Sequence, residues 1–263
     1  MLSVTQPADG LPEQPVRAAQ TGLHGHMIDA LGTAICSQKY PAGQTLTIEE
    51  LEKAFTVSRS VAREAVRVLE SMGLVTSRRR VGVVVLPPAH WNVFDPQVIR
   101  WRLATDHRPQ QLRSLTELRL AVEPQAARWA AVRATLQQAS DLVTLSARMW
   151  ATGRAGDLDE FLELDMAYHA LILRASGNEM FAHLTAMVSE VLTGRTAYGL
   201  MPTHPHVEAL EMHSAVATAI QQGDADAAEA SMRAIVTRAI DEMGAEWDPE
   251  SASLAEPTTV GDR

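Results

Sequence analysis

Three residues of types that bind metals or move protons stand at helical spacing in the second half of the chain. Asp165 and His169 are four apart, so in a helix their carboxylate and imidazole share one face. Phe161 and Ile172 fall on that face and Leu164, Tyr168 and Leu171 on a neighbouring stripe, leaving Glu160, Glu163 and Arg174 for solvent. Polar groups on the inward side of so apolar a helix need a partner or a metal, because bare burial costs several kcal/mol. His213 lies among Leu210, Val216, Ala217 and Ile220, on the inward stripe of another helix. Asp165, His169 and His213 are thus compatible with a divalent site that keeps positions open for a ligand. The plainer alternative is that Asp165 and His169 only hydrogen-bond each other. A metal-dependent hydrolase or lyase would also need a general base or nucleophile beside the metal, and no residue nominates itself for that role.

A second constellation is basic. Arg59, Arg63 and Arg67 recur every four residues, opposite an apolar stripe of Val61, Ala65, Val68, Leu69 and Met72, with Ser58 as a good N-cap. Only Phe55-Thr56-Val57 separates this helix, 58–71, from a helical pattern at 47–54, and a third pattern at 23–37 comes before them. That short turn is what sets a recognition helix across its partner. After Gly73, the runs Leu74 to Ser77 and Val81 to Val85 read as two strands around Arg78-Arg79-Arg80, a basic wing suited to phosphates or a minor groove. Guanidinium forks on the helix pair guanine edges or grip phosphates in a major groove. Solvated surface arginines would account for the charge but not for the turn, the N-cap and the hairpin together. Ser58, Arg59, Ser60, Arg63, Arg67, Arg78, Arg79 and Arg80 are therefore the expected DNA surface.

The elements that position these groups can be read from composition and punctuation. The net charge of −9 is uneven: residues 1–90 hold nine basic and eight acidic side chains, the remainder 14 and 24, and residues 57–82 hold six arginines against two glutamates. An acidic body would repel phosphate and restrict where DNA docks. One cysteine, Cys36, excludes an internal disulfide and fits a reducing cytoplasm. No apolar run approaches the roughly 18 residues that span a bilayer, and Met1 to Gln20, with three prolines and no apolar core, does not read as a signal peptide.

A chain of 263 residues favours two domains. Pro87-Pro88 stops the only β-rich run. From Pro96 the signals are helical: Asp157 with Glu160 starts one helix and Gly177 ends it, and Gly223-Asp224 breaks before a last helix to about Met243. Six or seven helices with short connections imply an antiparallel bundle. The expected fold is mainly α: a polar tail (1–20), a winged helix-turn-helix (21–88), an all-α antiparallel bundle (89–247) and a second polar tail (248–263).

The N-terminal residues resemble the GntR family of bacterial regulators. The likeness is carried by Tyr40-Pro41-Ala42-Gly43, by Val57-Ser58-Arg59-Ser60-Val61-Ala62-Arg63-Glu64-Ala65-Val66-Arg67-Val68-Leu69, and by Met72-Gly73-Leu74-Val75. It implies operator contacts from Arg59 and Arg63 and a third from Arg78 to Arg80. Many members also carry an arginine at the start of the second helix. Thr47-Ile48-Glu49-Glu50-Leu51 has none, so their operator preference does not transfer.

The C-terminal half is similar to the helical effector (FCD) domain of the FadR-type branch. Members bind a metal through four residues, three of which match Asp165, His169 and His213. The fourth position is Ile235, which cannot ligate. The resemblance therefore implies either one divalent, zinc-like ion with extra room for an effector's oxygens, or a metal-free pocket where the same groups hold a hydroxyl-rich ligand. In Glu117-Leu118-Arg119-Leu120-Ala121-Val122-Glu123-Pro124 the family places an arginine towards the pocket, which makes Arg119 a partner for an effector carboxylate. Trp91-Asn92, Asp95, Val98, Trp101, Val122-Glu123-Pro124 and Ala127-Arg128-Trp129-Ala130-Ala131 resemble the galactonate-responsive members. Taken together these likenesses imply a cytoplasmic homodimer that reads a palindromic operator. They imply a repressor released by a small carboxylate such as a sugar acid, with Arg119, Asp165, His169 and His213 at the effector.

Overall fold

The computed structural model describes residues 22–202 and 204–247; the tails expected at 1–20 and 248–263 lie outside the described residues. Among them the chain forms eleven α-helices and three short strands. The first apolar cluster gathers α1 (Leu23–Cys36), α2 (Ile48–Phe55), α3 (Arg59–Ser71) and the sheet β1 (Thr45–Leu46), β2 (Val75–Arg78), β3 (Gly82–Val85). The strands lie in the order β1-β3-β2, all antiparallel, with Arg78 opposite Gly82 at the wing. Residues 45–46 carry no alternation long enough to announce a strand, so β1 exists only because β3 offers it an edge.

Local chemistry explains the turn between α2 and α3. Thr47 and Glu50 form a reciprocal capping box at the start of α2, and Thr56 takes a left-handed φ of 52° to end it. Ser58 then accepts from the Val61 N–H and opens α3. The buried stripe of α3 is Ala62, Ala65, Val66 and Leu69, whereas Val61 and Val68 are only half-buried. The expected stripe was thus rotated by about one residue, because α1 packs between the positions that apolarity alone marks. Glu70 accepts from the Ser77 N–H at 2.6 Å and ties α3 to the wing. At Gly73, φ is +76° and a Cβ would stand 2.1 Å from the His90 carbonyl oxygen, so only glycine fits.

The second cluster is built by α5 (Arg108–Arg133), α6 (Leu136–Ala155), α7 (Leu158–Ala175), α8 (Glu179–Ala182), α9 (Thr185–Ala197), α10 (Val207–Gln222) and α11 (Ala225–Trp247). Asp157 caps α7 as expected, Gly156 and Gly223 end α6 and α10 in left-handed conformations, and α5 runs on through Pro124. Eight helices follow Pro96 rather than six or seven; α8 has four residues, too few to show a period.

Between the clusters lies α4 (Pro96–Leu103), N-capped by Asp95. Val98 and Trp101 pack with the first cluster, Ile99 and Leu103 with the second. Trp101 covers Gly32 of α1 so closely that a Cβ there would meet the ring at 2.5 Å, and its Nε1 donates to Asp29 at 3.0 Å. Leu103 covers Gly194 of α9, where a Cβ would meet it at 2.9 Å. Arg100 adds a two-pronged pair with Glu190 of α9. One short helix is therefore keyed into both cores through a glycine on each side. No helix among the described residues is long and apolar enough to cross a membrane.

Candidate functional site

The long helix α7 brings Asp165 and His169 to the inner side of the bundle, and α10 brings His213 against them. All three are buried, and one ligand atom from each lies within 4.8 Å of the others. Asp165 Oδ1 is 3.3 Å from His169 Nε2 and 3.3 Å from His213 Nε2. The Tyr168 hydroxyl donates to the His213 backbone carbonyl at 2.7 Å and holds α10 in register on α7.

The outer nitrogens decide what the inner ones present. His213 Nδ1 lies 2.6 Å from the Ala209 carbonyl oxygen, and His169 Nδ1 lies 2.8 Å from Glu123 Oε2. Both neighbours are acceptors, so each Nδ1 carries the proton and each Nε2 of a neutral ring aims a lone pair at Asp165. Asp165 Oδ1 and His213 Nε2 have no hydrogen-bond partner, and His169 Nδ1 approaches Glu123 closely without hydrogen-bond alignment. Three lone pairs converging in a buried space attract positive charge, as a proton or a cation. Burial opposes charge on His169, yet Glu123 and Asp165 outweigh it and raise the imidazolium to about 9. Burial would likewise raise Asp165, but the His169 and His213 rings that face it at 3.3 Å hold it well below the usual carboxylate range.

Two of the three separations in this donor set match a tetrahedral ion, and the three atoms together lie within 4.8 Å. Two atoms each about 2.0–2.1 Å from such an ion lie roughly 3.3–3.4 Å apart, the separation Asp165 Oδ1 has from each Nε2. Glu123 and the Ala209 carbonyl are also the kind of outer partners that orient metal-binding imidazoles. Ile235 lines the same space from α11.

A small cavity of about 50 Å³ opens over these atoms. Asp165, His169, His213, Arg119 and Ile235 line it, with Met201 and Pro202 from the α9–α10 connection. Arg119, on α5, is among the most buried side chains in the protein rather than a surface arginine. Its Nε donates to Glu123 Oε1 at 2.7 Å and its Nη2 to Oε2 at 3.3 Å, while Nη1 has no acceptor. Burial pushes the Glu123 carboxyl up, but Arg119 and His169 hold it at about 2. Sequence reasoning gave Glu123 no role in the site. Its spacing of four from Arg119 was a readable signal, whereas its contact with His169 was not.

Arg59, Ser60 and Arg63 are exposed on the first turns of α3, beside the cap residue Ser58, and Arg78, Arg79 and Arg80 are exposed at the wing. Arg80 has a φ of 66°, which bends the tip. Arg67 is exposed too, but its Nη1 contacts Glu64 Oε1 at 2.7 Å, so its charge is partly offset on its own helix.

Two family models match the chain: "Bacterial regulatory proteins, gntR family" over residues 23–85 and "FCD domain" over 114–238. The chain is 33% identical over 207 residues to the galactonate operon transcriptional repressor of Escherichia coli K12, covering 77% of this chain and 89% of that protein. It is 32% identical over 220 residues to the HTH-type transcriptional regulator YieP of the same organism, covering 83% and 94%. Among solved structures, E. coli McbR/YncC matches with a TM-score of 0.50 at 16% identity, over 87% of this chain and all of that one, a likeness of fold. The families and relatives are transcription regulators, not enzymes.

Proposed function

Because the chain belongs to the gntR family of bacterial transcription regulators, with an FCD domain behind its DNA-binding module, we propose that it is a repressor released by a small anionic effector. The observation that carries this reading is the buried polar centre at the floor of a cavity, in a bundle joined to the DNA module by the doubly keyed helix α4. Asp165, His169 and His213 would hold one divalent, zinc-like ion, and Ile235 leaves a position free. Bound there, such an ion supplies a Lewis-acidic anchor for an effector's oxygens. The protein's own groups do the rest. Glu123 and the Ala209 carbonyl keep the Nδ1 protons in place, and Arg119 offers Nη1 to a carboxylate. A relative named for the galactonate operon supports a sugar acid as that carboxylate.

At the other end Arg59, Arg63 and the wing arginines reach DNA. One short recognition helix offers too little contact for a specific site, so two copies related by a twofold axis read a palindrome. An effector alters DNA binding only through its different affinity for the DNA-bound and free forms. Here that difference arises as α9 shifts beside the ligand and moves Leu103, α4 and Trp101 with it.

The test is to enrich bound duplexes from a random DNA library and then titrate galactonate against the complex. A single palindromic motif, released by the acid from wild type but not from Arg119→Ala, is the expected result. No sequence enrichment, or release that ignores Arg119→Ala, would overturn the reading.

A further inference from the structure

The cavity has a second buried cation that no sequence signal marked. Arg195, on α9, is 6% exposed and lines the same wall as Arg119. Its Nη2 donates to Glu242 Oε2 of α11 at 2.9 Å, and its buried Nε has no acceptor. A guanidinium carries five N–H donors, and buried polar groups normally have theirs engaged. Arg119 Nη1 and Arg195 Nε are thus two unspent donors on different helices at one cavity.

Charge points the same way. Glu242 is shared, because its Oε1 accepts from Arg238 Nε at 2.9 Å while Oε2 serves Arg195. Among the residues that line the cavity, Arg119, Arg195 and Arg238 stand with Asp165 and Glu242, while Glu123 backs Arg119 and Glu208 lies 4.0 Å from Arg238. Burial disfavours charge on Arg195 and the nearby Arg119 adds to that, with Glu242 in opposition. Arg195 is the guanidinium whose charge its surroundings disfavour, and added negative charge beside it relieves that; Arg119 is already held charged by Glu123. A carboxylate at Arg119 and the Asp165–His169–His213 centre spends the Arg119 donor, and a second acid group would spend the one on Arg195.

We propose that the cavity selects a dianionic effector, one acid group at Arg119 and the polar centre and the other on Arg195, which exchanges Glu242 for it. This rests on the anionic-effector reading above. A polyhydroxylated diacid or a phosphorylated sugar acid has that chemistry, and a simple aldonate lacks the second group.

The matched probes are galactonate and galactarate, which differ only in whether the last carbon is a hydroxymethyl or a carboxylate. Each is titrated calorimetrically into the full-length protein. A second charge-assisted contact should favour galactarate at least about tenfold. Arg195→Gln should cost galactarate far more affinity than galactonate and bring the two acids to near parity; Glu242 keeps Arg238 in this variant. Glu242→Gln should widen the preference, because the ligand no longer competes with an internal carboxylate. A purely structural ion pair would instead weaken both acids in both variants. Equal affinities in wild type, or a preference untouched by Arg195→Gln, would overturn the dianion. If both acids bind equally and both are lost in Arg119→Ala, only this inference falls. If neither binds, the anionic-effector reading falls with it.

Discussion

Glu123→Gln tests the centre at the point where its parts meet. The change is nearly isosteric, so it alters hydrogen bonding and charge without opening a cavity. In the native protein one carboxylate accepts from Arg119 at 2.7 Å and lies 2.8 Å from His169 Nδ1, with both side chains 1% exposed. An amide has one oxygen and one NH2. With its oxygen on Arg119, its NH2 faces His169 Nδ1, which must then lose its proton and accept. The proton moves to Nε2, where it points at Asp165 and removes a lone pair from the cluster.

Two magnitudes follow. Breaking a fully buried ion pair from one side costs about 3–5 kcal/mol. Asp165 also acts on Arg119 and replaces part of the lost charge, which favours the lower figure. At roughly 2–4 °C per kcal/mol for a domain of this size, a loss of about 3 kcal/mol lowers Tm by about 6–12 °C. Metal affinity should fall by about 10–100-fold, as on losing an outer partner of a ligating histidine. Calorimetric melting with chelator measures the first, zinc competition against a chromophoric chelator the second, and nitrogen NMR shifts of His169 report the tautomer. Glu117→Gln is the control, because its pair with Arg113 is exposed and worth little. A Glu123→Gln protein with wild-type melting and wild-type zinc affinity would refute the account of the centre.

Three further outcomes are expected. Arg59→Ala and Arg63→Ala should each weaken operator binding by about 1–3 kcal/mol if the lost contact is a base edge, and Arg67→Ala by less, because Glu64 already occupies it; fluorescence anisotropy on the enriched duplex decides. Gly73→Ala should unfold the DNA module by forcing a Cβ to 2.1 Å from the His90 carbonyl, while Gly43→Ala, with a φ of +86° and open space around it, should cost only about 1 kcal/mol of backbone strain; thermal melts compare them. Cys36, whose thiol burial pushes up to about 12, should resist alkylation in the native protein and react only on unfolding; rapid native labelling by iodoacetamide would contradict this.

The residues of the DNA module follow one another in the chain, so its periodicities and caps could be read directly. The cap at Ser58 and the basic spacing of α3 each act within one or two turns, where propensity and sterics decide the outcome. The same holds for Asp157 and Gly223 at the helix ends. Asp165 and His169 share a helix face by geometry alone, and His213 was visible as a polar residue on an apolar stripe. The wing strand β1 was not legible, because two residues gain strand structure only from the neighbour they pair with.

The contents of the cavity beyond those ligand-type residues were decided by packing. Glu123 reaches His169 from α5 to α7, and Arg195 reaches Glu242 from α9 to α11. In a linear sequence each is a charged residue on a helix, for which solvent exposure is the ordinary outcome. Only the bundle buries them, and burial in a low-dielectric interior turns ordinary charges into obligate pairs with donors left over. The choice of tautomer at both histidines, the two glycines that receive α4 and the spare guanidinium donors all depend on distances between helices far apart in sequence. Sequence periodicity sets which face of a helix turns inward; the packing of the helices sets what that face meets.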